Sequence, residues 1–396
     1  MRTTFLPFSP PDIPEEGVRA VEELLRSSWP TTGERARQFE EEFAAFVGAP
    51  AALAVSSGTA AMQVSLAAFG VHAGDKVATT PLTFCATAHV IDHLGATPVF
   101  VDVDPETLNI SPSELERALE REKIAAIMPV HLHGHPCDMD AILALAKGHG
   151  CPVVEDAAHA FPARYRGVHV GSLARRAGTR GAAAFSFYAT KNITTVEGGM
   201  ITGDRDFIAE ARLWSLHGID RDAWQRHHGG SSWGYEVVRP GFKCNMPDIS
   251  AVLGLAQLRR IEAMQRRRRE IVAKYDEAFR AVPELQIPAN RREVEHAWQL
   301  YALRLVLPAL RWKNGDGQTA FIDGLKARNI GASVHFVPLH LQPYYRDKYA
   351  LKPEDFPVAN REAQRLVSLP LFTLMTDADV NDVIEAVLDL VAQNRR

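Results

Sequence analysis

Phe185-Ser-Phe-Tyr-Ala-Thr-Lys-Asn192, followed shortly by Glu197-Gly-Gly199, is the most informative stretch of this chain. An apolar run ends in small and hydroxylic residues, a lysine stands at 191, and a glycine pair closes the segment. Such a pattern holds the lysine just past a strand end, facing a cavity, where an amine that condenses with an aldehyde would sit. A free lysine has a pKa near ~10.4 and is mostly protonated, so that role needs surroundings that favour the neutral or imine form. Most lysines are solvated surface charges. Lys191 therefore acquires chemical meaning only through partners elsewhere in the chain.

Upstream of it, short apolar runs alternate with helical stretches. Ala52–Val55, Lys76–Thr80, Pro98–Val103, Ala125–Val130, Pro152–Glu155 and Ala182–Ser186 read as buried strands. Ala60–Phe69, Cys85–Leu94, Ser113–Glu122 and Met139–His149 read as the helices between them. This alternation predicts an α/β fold with a mainly parallel sheet, helices on both faces, and ligands at the carboxyl ends of the strands. Strand Met200–Thr202 and helix Arg205–Leu216 close this larger unit.

The predicted strand ends carry polar chemistry. Ser56-Ser57-Gly58-Thr59 opens directly into a helix, and a small hydroxylic turn there makes either a phosphate cup or an ordinary N-cap. After the second strand, Phe84 is either core or a plate for a flat heteroaromatic ring. Glu155-Asp-Ala-Ala-His159 follows buried valines, and an ionised carboxylate at that place needs a cationic or hydrogen-bonding partner. A protonated pyridine nitrogen would satisfy Asp156, with an N-cap acid as the simpler reading.

The rest of the chain narrows the class. Its 396 residues suggest two unequal domains, residues 1–248 with an N-terminal arm, and residues 249–396 with a long connecting helix and a small α+β unit. A net charge of −4, with 23% charged and 46% apolar residues, gives no footprint for nucleic acid or an acidic membrane. Cys85, Cys137, Cys151 and Cys244 form no CxxC pair, and no apolar run approaches a membrane span, so the expected address is cytoplasmic. His131-Leu-His-Gly-His135 with Cys137 has strand-like ligand spacing, but Gly134 and Pro136 break the strand, and no metal is expected.

Several further elements are expected. Helices are predicted over Glu15–Ser27, Glu34–Val47 and about Ile249–Val282, the last carrying Gln265-Arg-Arg-Arg-Arg269 as a solvated face. Residues 160–181, rich in arginine and glycine, read as a solvated, mobile excursion, and His217–Asn245 as a crossing loop. Leu300–Leu307 and Ala332–Val337 are strand candidates, with helices near Gln318–Arg328, Val358–Leu366 and Asp377–Ala392. His335 and His340 are either structural or pocket residues.

Phosphate cup, aromatic plate, pyridine-nitrogen acid, serine and lysine together are five partners of one ligand, pyridoxal 5'-phosphate. In that order the chain resembles the DegT/DnrJ/EryC1/StrS family of sugar aminotransferases, built on the fold-type I PLP-dependent aminotransferase scaffold. The resemblance runs nearly end to end, through Trp29-Pro-Thr-Thr-Gly33, Ser56-Ser-Gly-Thr-Ala60, Gly95-Ala-Thr-Pro-Val99, Pro129-Val-His-Leu132, Glu155-Asp-Ala-Ala-His159, Phe185-Ser-Phe187 with Lys191-Asn192, Glu197-Gly-Gly199 and Val334-His-Phe-Val-Pro-Leu-His340. Within the family it is nearest to enzymes that aminate UDP-4-keto-arabinose.

The resemblance implies that Lys191 bonds the cofactor aldehyde, Asp156 meets the pyridinium nitrogen, Phe84 stacks on the ring, and His159 lies beside it. Gly58, Thr59 and Ser186 would hold the phosphate. Trp29, Thr31 and His335 would meet substrate, and Asn245 would reach the cofactor of a neighbouring subunit in a homodimer. Many members read Gly-Phe-Asn-Tyr-Arg where this chain has Gly241-Phe-Lys-Cys-Asn245, and residues 172–181 are longer than the family pattern. The implied reaction is transamination from an amino acid, L-glutamate in relatives, to a nucleotide-linked keto sugar. A keto sugar without nucleotide or a cyclitol is an alternative acceptor. Sugar 3-dehydration, which goes with histidine at the lysine position, and a non-catalytic regulator are more distant readings.

Overall fold

A computed structural model describes residues 2–26, 29–219, 234–312 and 316–396. Its centre is a seven-stranded sheet of β1 (Ala51–Val55), β2 (Lys76–Thr79), β3 (Thr97–Phe100), β4 (Ala126–Ile127), β5 (Val153–Asp156), β8 (Gly181–Ser186) and β9 (Gly199–Gly203). The spatial order is β1-β9-β8-β5-β4-β2-β3. β3, β2, β4, β5 and β8 are mutually parallel, and β9 runs antiparallel to both its neighbours. The strands read as continuous apolar runs because both faces are covered. Ala52, Ala54, Ala183 and Phe185 point into one core with Phe39, Phe43 and Ile142. Their sequence neighbours Leu53, Val55, Ala182 and Ala184 join Met62, Leu66 and Ile91 in the other. This period-two division is what a strand between two helical layers requires.

The helices form where their ends are satisfied. Ser57 Oγ accepts from the Ala60 N–H at 3.0 Å, starting helix Gly58–Ala68. Asp138 caps Met139–His149, and Gly150, at φ 68°, ends it in the left-handed conformation. The first helix, Glu15–Leu25, ends before Ser27, which lies outside the described residues, as does the 220–233 part of the predicted crossing loop.

A second sheet, β10 (Leu285–Gln286), β12 (Tyr301–Leu305) and β13 (Leu366–Leu369), is antiparallel throughout. Helices Ile261–Phe279, Gly317–Ala327 and Asp377–Asn394 supply Tyr275, Phe321 and Val387 to its core, and the N-terminal arm adds Leu6.

Four expectations are corrected. The long helix is two, Asp248–Leu258 and Ile261–Phe279. The first is buried nearly all round against the larger sheet's helices, and the second packs on the smaller sheet. Two cores impose two directions, and the axis breaks at Arg259–Arg260, where no glycine or proline marks it. Arg268, in the arginine run, is 3% exposed and donates to the carbonyls of Trp298 (3.1 Å) and Leu371 (3.0 Å). Residues 160–181 are a packed segment rather than a mobile excursion. They contain β6 (Arg164–Tyr165) and β7 (Val168–His169), which pair with each other, β6 pairing also with β11 (Val294–Glu295), and Tyr165, Val170 and Leu173 are buried. Ala332–Val337 is no strand. Ser333 pairs once with Ser368, and Pro338, which has no N–H, follows.

The two sheets are tied through Arg304 on β12. Its guanidinium donates to the carbonyls of Pro105 (2.7 Å) and Glu106 (3.0 Å) in the loop after β3, and to Glu362 (3.2 Å), with both charged side chains 3% exposed or less. Arg304→Met leaves two carbonyls without their donor and takes one of three arginines from Glu362, which keeps Arg361 (2.9 Å) and Arg365 (3.1 Å), so a loss of about 2 kcal/mol is expected. Urea denaturation of the apoprotein measures it, and an unchanged midpoint would contradict the account.

Candidate active site

Because β1, β2, β5 and β8 point the same way, the segments after them meet at one edge of the sheet. They line a cavity of about 370 Å³. Gly58 and Thr59 come from the first, Phe84 from the second, Asp156 and His159 from the third, Ser186 and Lys191 from the fourth. His335 closes the cavity from the far end of the chain.

The phosphate-cup segment depends on close backbone approach. A Cβ on Gly58 would lie 2.8 Å from Ser186 Cβ, and one on Gly199 would lie 2.4 Å from the Ser57 carbonyl oxygen. The two glycines bring the helix N-terminus against the ends of β8 and β9, so Ser186 stands beside free backbone N–H groups. A helix N-terminus with adjacent hydroxyls is an anion cradle.

Asp156 is 4% exposed. The Thr87 hydroxyl donates to its Oδ2 at 2.7 Å and the Ala158 N–H to its Oδ1 at 3.1 Å, with Thr83 bonded in turn to Thr87 at 2.8 Å. Burial pushes this carboxyl above its ordinary pKa, opposed by those two donors and by Lys191. Lys191 is brought from 10.5 to about 8 by burial, against the pull of Asp156. Burial first, then Lys191, holds His159 well below the ordinary histidine value, and the ring stacks on Phe336 at 5.8 Å. His159 is thus a neutral plate at neutral pH. His335 is lowered to about 3, again by burial first.

Three expected site residues lie apart from this cavity. Asn245 donates to Thr32 Oγ1 at 2.5 Å, and the Trp29 indole donates to the Thr32 carbonyl at 2.9 Å. Thr31 is exposed, its carbonyl accepting from the Asp248 N–H at 3.2 Å. Trp29, Thr31 and Asn245 therefore form one patch of their own. His131, His133 and His135 diverge. His131 meets Glu155 at 3.0 Å, His133 the carbonyl of His335 at 2.7 Å, and His135 the carbonyl of Pro136 at 2.7 Å. Among the described residues no group of three or more His, Cys, Asp or Glu is arranged to hold a metal ion, and no helix is long and apolar enough to cross a membrane.

The structure also adds residues that sequence reasoning missed. Thr87 is the second residue of helix Ala86–His93, and Gln299, Phe336 and Phe8 come from distant segments. No local spacing announces them.

Comparison with known proteins agrees with this geometry. Residues 11–388 match the DegT/DnrJ/EryC1/StrS aminotransferase family. The chain belongs to that family. It is 48% identical to the spore coat polysaccharide biosynthesis protein SpsC of Bacillus subtilis over 98% of both chains. The PLP-form of the putative sugar aminotransferase Spr1654 from Streptococcus pneumoniae superposes with a TM-score of 0.87 at 32% identity, over 98% of this chain and 99% of that one. Helicobacter pylori PseC, an aminotransferase involved in the biosynthesis of pseudoaminic acid, gives 0.89 at 27%, over 99% and 100%.

As a DegT/DnrJ/EryC1/StrS aminotransferase of fold type I, the protein is a transaminase that uses pyridoxal 5'-phosphate. The residues present fit that group. The glycine cradle suits an anion, the buried Asp156 has a hydroxyl and a backbone N–H as hydrogen-bond donors and suits a pyridinium N–H, and Lys191 lines the same space.

An amine reacts with an aldehyde only when deprotonated. With Lys191 at about 8 instead of 10.5, the rate at which apoprotein takes up pyridoxal phosphate should rise with pH through a midpoint near 8 and then level. Stopped-flow absorbance of the forming visible band measures this. A rate still climbing above pH 10 would show an unperturbed amine.

Proposed function

We propose that this sugar aminotransferase moves an amino group from L-glutamate to the keto carbon of a nucleotide-linked sugar, releasing 2-oxoglutarate and an amino sugar. The observation that carries the reading is the convergence of Lys191, Asp156 and the Gly58–Ser186 cradle on one cavity. Pyridoxal phosphate, when bound, supplies an aldehyde for exchange of amines and a ring that accepts the electron pair left at the α-carbon. Gly58, Thr59 and Ser186 would hold its phosphate, and Asp156 would keep the pyridine nitrogen protonated. Phe84 and the neutral His159 would lie against the ring. Lys191 would hold the group through Nζ at rest. As a free amine, Nζ would take the proton from the donor α-carbon and, in the second half-reaction, would give a proton to the sugar carbon that receives nitrogen. A base near pKa 8 changes charge readily at neutral pH, which suits both transfers.

The cavity's aromatic walls, Phe8, Phe84, Tyr188, His335 and Phe336, support this acceptor, since they suit a flat base and a sugar ring. UDP-4-keto-arabinose is one candidate. The functions given for SpsC and PseC, in a polysaccharide and in pseudoaminic acid, support an acceptor made for glycan assembly. In the proposal residues 1–248 carry the cofactor and 249–396 contribute Gln299 and His335. The proposed working form is a cytoplasmic homodimer, in which the half-buried Trp29–Thr31–Asn245 patch faces the neighbour's cavity.

Lys191→Ala should lose transamination by about a thousandfold or more. In wild type, borohydride should fix the cofactor irreversibly to the peptide containing Lys191, as read by mass spectrometry. A panel of UDP-, dTDP-, GDP- and CDP-linked keto sugars, a free keto sugar and a cyclitol, each assayed with glutamate, tests the acceptor. Preference for a ketone without nucleotide would overturn that part.

A further inference from the structure

The segment that carries Lys191 has little regular structure of its own. Between the end of β8 and Asn192, the backbone bond holding the lysine is its own N–H to the Tyr188 carbonyl at 2.9 Å. The peptide units on either side are gripped by one side chain. Gln299 Nε2 donates to the Thr190 carbonyl at 2.8 Å, and Gln299 Oε1 accepts from the Asn192 N–H at 3.0 Å. The opposite amide orientation would set acceptor against acceptor and donor against donor, so these partners fix the flip. Gln299 is 4% exposed and lines the cavity.

Its anchorage is itself rigid. Asn192 Nδ2 donates to the carbonyls of Phe161 (2.8 Å) and Ala297 (2.9 Å), and Gln265 donates to the same Ala297 carbonyl at 2.9 Å. Arg268 holds the Trp298 carbonyl, and the Leu300 N–H donates to His133 at 3.2 Å. Segment 297–300 is therefore tied down residue by residue, and it passes that restraint to Thr190 and Asn192.

We infer that Gln299 is a positioning residue for the reaction, clamping the main chain on both sides of Lys191 so that Nζ swings from a fixed pivot. It touches no reacting atom. The inference rests on Lys191 being the reactive amine, and deepens that reading by naming what aims it. A lysine that leaves its bond to the cofactor and returns as a base must keep its aim during a step when that bond no longer holds it. Small misplacements of a reacting group reduce rate far more than affinity.

Two substitutions in the holoenzyme test this. Gln299→Leu keeps approximate bulk and removes both hydrogen bonds. Gln299→Glu keeps the acceptor toward Asn192 and, when ionised, faces the Thr190 carbonyl with a second acceptor. Once protonated, its O–H donates to that carbonyl and restores the clamp. Gln299→Leu should lower kcat per bound cofactor about tenfold, with KM for donor and sugar within about twofold. It should also displace the pH midpoint of the holoenzyme's visible band by half a unit or more. Gln299→Glu should show the same kcat loss at high pH and recover toward wild type as pH falls, which a purely structural role would not produce. Wild-type kcat and band midpoint in both variants overturn the inference. So does a loss explained entirely by lower melting temperature or cofactor content. Failure of borohydride to fix cofactor at Lys191 in the wild type would instead bring down the underlying reading, and the clamp with it.

Discussion

The site depends on a carboxylate and an amine that burial has left incompletely satisfied. Asp156 ends β5 in register with Ala184 on β8, so the strand that carries the acid lies against the strand that leads to Lys191. The donors to Asp156 are a hydroxyl and a backbone N–H, both neutral, and the same burial that raises its pKa removes protons from Lys191. A buried charge without full compensation is costly. The parallel sheet supports that cost because its strand ends are already fixed by two apolar cores. In the proposed reading a pyridinium beside Asp156 and a covalent bond at Lys191 would relieve both groups at once, so the site's electrostatics suit that cofactor.

The parts of the site that could be read from sequence are those built locally. At Ser56–Thr59, Glu155–His159 and Phe185–Asn192 the chain passes from an apolar strand to a polar turn, and the side chains that matter lie within a few residues of that change. The sheet itself was legible for the same reason, since helix–strand alternation leaves few arrangements open. Thr87 and Gln299 were hidden because their partners, at 156 and at 190 and 192, are fixed by tertiary packing. The axis break at Arg259–Arg260 was hidden because both sides are good helix formers, and the competition between two cores bends the chain there. Arg268 looked like its three neighbours, yet its place on the buried stripe, beside two free carbonyls, gives it a different environment.

The patch away from the cavity has a physical cause too. Asp248 begins one helix and caps another, its carboxylate accepting from the N–H groups of Gly33 (2.8 Å), Arg35 (3.1 Å) and Ala36 (2.9 Å). That shared acid pins the Trp29–Gly33 turn to the chain at Asn245–Ile249. Asn245 accordingly turns toward Thr32 in its own chain, where Lys243 also bonds to it.

The smaller sheet reaches the Lys191 segment along two routes that end on the same carbonyl. Leu6 pairs with the backbone at Asn329 and Gly331, and beyond it Phe8 stacks on His335 at 5.4 Å while Ser9 Oγ donates to Thr190 at 3.4 Å. From the other side, Gln299 arrives at Thr190 directly ahead of β12. A displacement of segment 297–299 must carry the lysine's main chain with it or break both carboxamide bonds. The part of the protein that supplies His335 to the cavity wall is thereby coupled mechanically to the part that holds the amine, and geometry at that wall and geometry at Nζ are set together.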